Sequence, residues 1–255
     1  MRTTMVHLSK GGVGKTTMSV HYAWYQRKIG KRVLFVDFDI QCNSSKLLTG
    51  VNAEKHALYA ARPIGTILDF ADNAYPARLA AAEPGPFDIL TAVQDVKFGP
   101  DDGVAIMASV RALSASGAYD IAIFDTPTAL DEPIAALLQT TDNIIIPMRP
   151  DDFSFDQISI VMQLKSFADQ NRTVPLNISG IIINGMMAKP TMQNIQDLAQ
   201  NGYREHIIST IIDASEPIRI SMDLAQPIFT QSTSWARIKR KELEAAFEEI
   251  DGRSK

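Results

Sequence analysis

Residues 10–17 read KGGVGKTT. Gly11, Gly12 and Gly14 let the backbone turn so that successive N–H groups point inward, which is how a loop cradles phosphate. Lys15 then meets the β and γ oxygens of a nucleoside triphosphate, Val13 and Thr17 complete the cradle, and Thr16 offers its hydroxyl to Mg²⁺, a hard ion that shares its shell with nucleotide phosphates. Lys10 occupies the place where the ordinary G-x-x-x-x-G-K-[ST] pattern begins with glycine. Two cations this close repel unless one points away, and a lysine at the lip of the loop can reach across a two-fold interface to the nucleotide of a second subunit, as an arginine finger supplied in trans does. Hydrolysis then depends on dimerisation.

Acids follow downstream. In VDFDIQCN (36–43), Asp37 and Asp39 flank Phe38, so along an extended strand they face one side. At a strand's C-terminal end that side looks into the ligand crevice, where a carboxylate orients water or the metal shell. One of the pair reads as a helix cap or packing partner, and that part falls to Asp37. The apolar run of IAIFDTPT (121–128) closes on Asp125, an acid placed as a second anchor for magnesium. Asn184, just past a buried run, carries an amide that matches the donor and acceptor of an adenine edge.

These residues need a scaffold that brings strand ends together. Short β-type runs at 3–9, 32–38, 87–92, 120–126, 143–148, 176–184 and 206–212 alternate with helix-length segments near 15–29, 103–116, 130–140, 154–170, 190–201 and 232–249. That alternation predicts an α/β fold: a mostly parallel, twisted sheet with helices on both faces. Several strands are apolar nearly throughout, as strands buried on both faces are. The phosphate loop falls between the first strand and the first helix, the context it requires. Residues 50–86 read as an excursion from the sheet, with a helix PIGTILDFA opening at Pro63. One domain over 1–255 is expected.

KGGVGKTT is the deviant Walker A motif with its signature lysine, and the chain resembles the ParA/MinD family of P-loop ATPases over nearly its whole length, least in 50–86. The resemblance implies ATP and Mg²⁺ as cofactors, slow and partner-stimulated ATPase activity, and a face-to-face homodimer in which Lys10 contacts the partner's nucleotide. It also implies that Asp39 positions the attacking water, although Ile40 stands where the family pattern D-x-D-P-Q-x-N has proline. Asp125 answers to the family's D-x-P-P, with Thr128 in place of the second proline. Asn184 would lie against the base.

Composition narrows the branch. A single cysteine, Cys42, allows no intrachain disulfide and cannot supply the paired cysteines of the iron-protein relatives. No apolar run approaches the roughly 20 residues that span a bilayer, and the tail KRKELEAAFEEIDGRSK suits an anionic membrane poorly. The start of the chain resembles neither a secretion signal nor a transit peptide, so a cytoplasmic, nucleoid-associated protein is expected. What remains is the DNA or cargo-positioning branch, for which the resemblance implies a dimer that holds nonspecific DNA and is stimulated by a ParB-like partner, with no helix-turn-helix ahead of the loop for reading operators. A net charge of −4 confines any DNA contact to a local basic patch. Candidates are Lys189, Arg204, Arg219, Arg237, Lys239, Arg240 and Lys241, with Arg219 and Lys189 foremost. The alternatives are an ATP-dependent switch that positions a protein assembly without DNA and a small-molecule P-loop enzyme, which would have little use for Lys10.

Overall fold

The structure, a computed structural model, describes residues 1–81, 83–149, 152–186 and 202–254. Eight parallel strands form the sheet: β1 (Arg2–Val6), β2 (Val33–Asp37), β3 (Arg62–Thr66), β4 (Phe87–Thr91), β5 (Ile121–Asp125), β6 (Asn143–Met148), β7 (Asn177–Met186) and β8 (Ile212–Asp213). Their order is β3-β4-β2-β5-β1-β6-β7-β8, and every pairing is parallel. The described helices are α1 (Lys15–Lys28), α2 (Asn43–Thr49), α3 (Val51–Glu54), α4 (Ile67–Phe70), α5 (Tyr75–Ala81), α6 (Pro100–Ser116), α7 (Glu132–Thr140), α8 (Asp152–Asp169), α9 (Glu216–Leu224) and α10 (Ser234–Arg253). The helix expected at 190–201 lies outside the described residues.

Strand pleating sorts the apolar runs into two cores. Leu34, Val36, Ala122, Phe124 and Ile144 face one side of the sheet, where Ile106 and Val110 of α6 and Ile134 of α7 cover them. Their neighbours Val33, Phe35, Ile121, Ile123 and Ile145 face the other side, against Met18 and Tyr22 of α1 and Leu243 and Phe247 of α10. Period-two alternation thus gives each face its own helix layer. Asp37 and Asp125 continue the second series, so both carboxylates point toward α1 (Asp37 pairs Asp125 in register).

Two expectations are corrected. PIGTILDFA does not form a helix from Pro63: Arg62–Thr66 is an edge strand, where a residue without an N–H is tolerated. The helix begins at Ile67, after a reciprocal cap in which the Thr66 backbone N–H donates to Asp69 Oδ2 at 2.8 Å. The run 206–212 is likewise not one strand. A 3₁₀ turn occupies Arg204–His206, Ile207 makes a lone bridge to Ile181, and β8 is only Ile212–Asp213. The last helix does open on a hydroxyl cap, the Thr233 side chain accepting from the Ala236 N–H. Among the described residues no helix is long and apolar enough to cross a membrane.

Polar groups fasten α10 to the phosphate-loop helix. Asp251 Oδ1 accepts from Arg2 at 2.7 Å, from the Tyr22 hydroxyl at 2.6 Å and from Gln26 at 2.9 Å. Burial, followed by the Asp251 charge, raises the Tyr22 phenol well above its usual range, so the hydroxyl stays a donor. Asp251→Ala strands three partly buried donors at once and should destabilise the protein by about 3 kcal/mol. A fall in Tm of about 6–12 °C is expected, with nucleotide affinity unchanged; calorimetry and a binding titration on the same sample check both.

Candidate functional site

The phosphate loop is built by backbone geometry rather than by side chains. Gly12 and Gly14 adopt φ values of 72° and 92°, in the left-handed region that glycine enters without strain. Gly14 ends the loop as the N-cap of α1, which has no side-chain cap and no acid in its first turn. The first N–H groups of that helix, and the positive end of its dipole, are therefore left to an anion. Gly11 and Gly12 are exposed at the apex, and Lys10 beside them is half-buried.

Glycine at position 14 is also required by a close approach. A Cβ there would lie 2.0 Å from Asn184 Nδ2, because Asn184 is docked on the loop and donates to the Val13 carbonyl at 2.9 Å. The amide expected against a base thus braces the loop with its donor, leaving Oδ1 without a hydrogen bond among the described residues. Lys15 is buried, and its ammonium donates to the Lys10 carbonyl at 2.8 Å. Burial lowers its pKa, while the Asp125 and Asp39 charges raise it. The loop's principal cation is thus held by negative charge on the acid side of the site.

The sheet register sets those acids in a row: Val6 is level with Asp125, and Asp125 with Asp37. Asp37 and Asp125 are fully buried. Asp37 acts as a structural anchor, accepting from the Ser45 N–H at 2.9 Å, the Ser45 hydroxyl at 2.6 Å and the Asp39 N–H at 3.0 Å. These bonds fix the first turn of α2 and turn the chain away after β2. Phe38 drops into the core against Phe70 and Phe124. Consequently Asp39 is placed by a turn and not by the strand's pleat, which corrects the expectation of one extended strand bearing both acids. It is half-buried, and its Oδ1 accepts from the Gln41 N–H at 3.0 Å.

Asp125 Oδ1 lies 2.9 Å from the Ser19 hydroxyl, which also reaches the Lys15 carbonyl at 2.9 Å; having one proton, Ser19 serves one of them at a time. Asp125 Oδ2 and Ser44 Oγ are buried without a hydrogen-bond partner among the described residues. Burial first and the Asp37 charge second push the Asp125 carboxyl up to about 7, with the Ser19, Ser44 and Thr16 hydroxyls acting in the opposite direction. Orphaned hard oxygens beside the Thr16 hydroxyl fit Mg²⁺. Among the described residues no cluster of three or more His, Cys, Asp or Glu side chains could hold a metal ion by itself. A cleft of 530 Å³ opens at Thr16 between α2 and α9, lined by Asn43, Lys46, Met222 and Asp223 among others. Sequence reasoning does not single out Ser19, Ser44 or Ser45. Ser19 stands one helical turn after Lys15 and the serine pair follows the acidic strand, signals that spacing alone offers.

The basic residues scatter. Arg219, on α9, donates to both Glu216 oxygens, at 2.8 and 2.5 Å, and to Asp223, so the trio is net negative. Lys239 is buried against Glu242 at 2.7 Å, and half-buried Arg240 donates to the Gln231 carbonyl at 3.0 Å. Arg204, Arg237 and Lys241 are exposed and make no ion pair among the described residues. Lys189 lies outside the described residues. Beside Arg237 and Lys241, Trp235 is 69% exposed and Ile238 49%.

The Asp125 environment predicts a pH effect on the nucleotide-free protein. Its folded pKa exceeds the ordinary unfolded value, so the native state holds the proton more tightly, and this contribution is lost as pH rises through about 7. Asp125→Asn should therefore gain stability relative to the parent at pH 8.5 but not at pH 4.5; urea unfolding at the two pH values measures the difference.

A family model described as an AAA domain matches residues 1–178. The chromosome-partitioning ATPase Soj of Thermus thermophilus is 23% identical over 206 residues, which cover 80% of this chain and 77% of Soj. The structure of a Cyanothece McdA variant in complex with ATP superposes with a TM-score of 0.75 at 17% identity, over 99% of this chain and 96% of that one. That of pNOB8 ParA bound to nonspecific DNA gives 0.59 at 17% identity, over 99% and 98%. Given that match, the parallel sheet and the glycine loop with Lys10 at its lip, the chain belongs to the ParA/MinD family of P-loop ATPases.

Proposed function

We propose that residues 1–255 form one ParA-type ATPase unit that binds ATP, closes into a sandwich dimer, holds DNA without reading its sequence and releases it when a ParB-like partner stimulates slow hydrolysis. The observation that carries this reading is the loop's exposure. Gly11 and Gly12 stand at the apex with Lys10 beside them, while Lys15 and the acid row lie beneath. A second copy can therefore approach the phosphates from the open side. The related Soj and the nonspecific-DNA complex of ParA support the DNA branch.

Residue roles follow from the chemistry. Lys15 and the N–H groups at the start of α1 neutralise phosphate charge, and Lys10 adds a second cation to the neighbouring subunit's nucleotide. Thr16 and Asp125 would hold Mg²⁺, which supplies positive charge where the leaving phosphate oxygens develop negative charge. Asp39, with one oxygen committed to the Gln41 N–H, keeps the other to orient a water. Asn184 has its amide oxygen for the exocyclic amine of adenine. Stimulation by a partner fits a site whose second cation arrives only on dimerisation.

A second reading is a positioning switch for a protein assembly. It is favoured by the ion-paired state of Arg219 and by the exposed Trp235–Ile238 edge, which suits a protein surface.

Two measurements test the proposal. Lys15→Ala should lose ATP binding, whereas Asp39→Ala should bind ATP and dimerise but turn over at least tenfold more slowly; normal turnover in Asp39→Ala removes its assigned role. For DNA, the affinity of the ATP-bound protein for random duplex should fall steeply with salt. Removing Arg237 and Lys241 together should flatten the slope of log K against log salt by about 2 per subunit, about 4 for the dimer. Arg219→Ala should leave the slope unchanged. Absence of ATP-dependent retention at low salt would favour the protein-assembly reading.

A further inference from the structure

His7 is fully buried between the phosphate loop and the end of β5, and no role assigned so far uses it. Its two ring nitrogens reach opposite neighbours: Nδ1 lies 2.8 Å from the Thr126 hydroxyl and Nε2 lies 3.1 Å from the Ser9 hydroxyl. The Thr126 hydroxyl donates its one proton to the Val6 carbonyl at 2.7 Å. It can only accept from His7, so the ring proton sits on Nδ1. Nε2 is then an acceptor and takes the Ser9 proton. Burial, helped by the Lys15 charge, lowers the pKa to about 3, which keeps the ring neutral and this arrangement intact at working pH.

Each end of the bridge borders a functional residue. Thr126 follows Asp125 directly. Ser9 is the central residue of a tight turn closed by the Lys10 N–H on the Leu8 carbonyl at 2.7 Å, and the Lys10 carbonyl in turn accepts from Lys15. A side chain with one donor and one acceptor on a rigid ring spans the two hydroxyls; aliphatic, hydroxyl or acidic side chains offer no such pairing.

We infer that His7 is a positioning residue which, through Ser9, fixes the turn that presents Lys10 and ties that presentation to the strand end carrying Asp125. The inference rests on the proposed sandwich dimer, in which Lys10 acts on the neighbouring nucleotide. It assigns His7 no contact with the nucleotide itself. Loosening the bridge should therefore spare ATP capture by Lys15 and impair the steps that need Lys10.

The test uses Ser9→Ala, which cuts the bridge without opening the core, and His7→Asn, which keeps a donor near Thr126 but cannot reach Ser9. Affinity for a fluorescent ATP analogue should stay within about twofold of the parent in both. The dimer dissociation constant with ATP, measured by sedimentation in an Asp39→Ala background, should rise about tenfold, and turnover in the otherwise unmodified protein should fall by a similar factor with KM unchanged. The two changes together should do no more than either alone, and Ser9→Ala should have no further effect on a Lys10→Ala protein. If Lys10→Ala impairs dimerisation and turnover while Ser9→Ala leaves both at parental levels, the bridge is packing alone and the inference fails. If Lys10→Ala itself changes neither, the sandwich reading falls and this inference with it.

Discussion

The site is organised by the juxtaposition of two carboxylates that water does not reach. Asp37 and Asp125 stand level on adjacent strands with their side chains on one face, and like charges so placed cannot both ionise without compensation. The surrounding sequence supplies that compensation in graded form. Ser45 gives Asp37 a hydroxyl and an N–H. Asp125 receives Ser19 and keeps one oxygen without a partner among the described residues. One acid is thus spent on architecture, while the other keeps an oxygen free, as the proposed magnesium anchor would require. The hydroxyls come from the second turn of α1 and the first turn of α2, so the helix that follows the glycine loop and the one that follows the acidic turn together set the state of the acids.

Lys15 completes this balance from the opposite side. A buried ammonium is costly unless something negative faces it, and here Asp125 and Asp39 provide the field while the Lys10 carbonyl provides the bond. The lysine is thereby held beside the loop with its charge oriented. On the proposed reading, triphosphate binding would exchange this carbonyl acceptor for anionic oxygens, a gain in charge-assisted bonding. Asn184 adds a brace from the distant end of β7, so that the loop's shape is set by the fold before any nucleotide arrives.

Legibility followed the range of the interactions. The loop, its lysines, the strand-end acids and the two-sided sheet could be read because each rests on local composition and spacing. The assignment of Asp37 to a capping role also matches, since a carboxylate ahead of a short polar helix is a local pattern. Asn184 is legible only in part: its bond to Val13 joins residues 171 apart in sequence, and an Asn-Gly pair carries no mark of that partner. Residues 62–66 do not read as a strand because Pro63 and Gly65 are poor strand formers in isolation, and only the edge position makes them acceptable. The ion pairing of Arg219 is a different case. Glu216 and Asp223 lie three residues before it and four after, the spacing of helical ion pairs; once α9 is recognised as a helix, its neutralisation is readable from sequence.

The distribution of charge along α10 bears on how an acidic protein would hold DNA under the proposed function. The helix opens with Arg237, Lys239, Arg240 and Lys241 and continues through Glu242, Glu244, Glu248 and Glu249. The structure removes Lys239 from the exposed set by burying it against Glu242, and Arg240 is partly withdrawn, so few cations of this helix face solvent on each subunit. On the proposed reading, a surface this sparse would bind phosphate weakly as a monomer and much more tightly when two copies present it together, because the second contact becomes intramolecular. DNA affinity would then track dimer formation, and with it the nucleotide, without any conformational change inside the subunit.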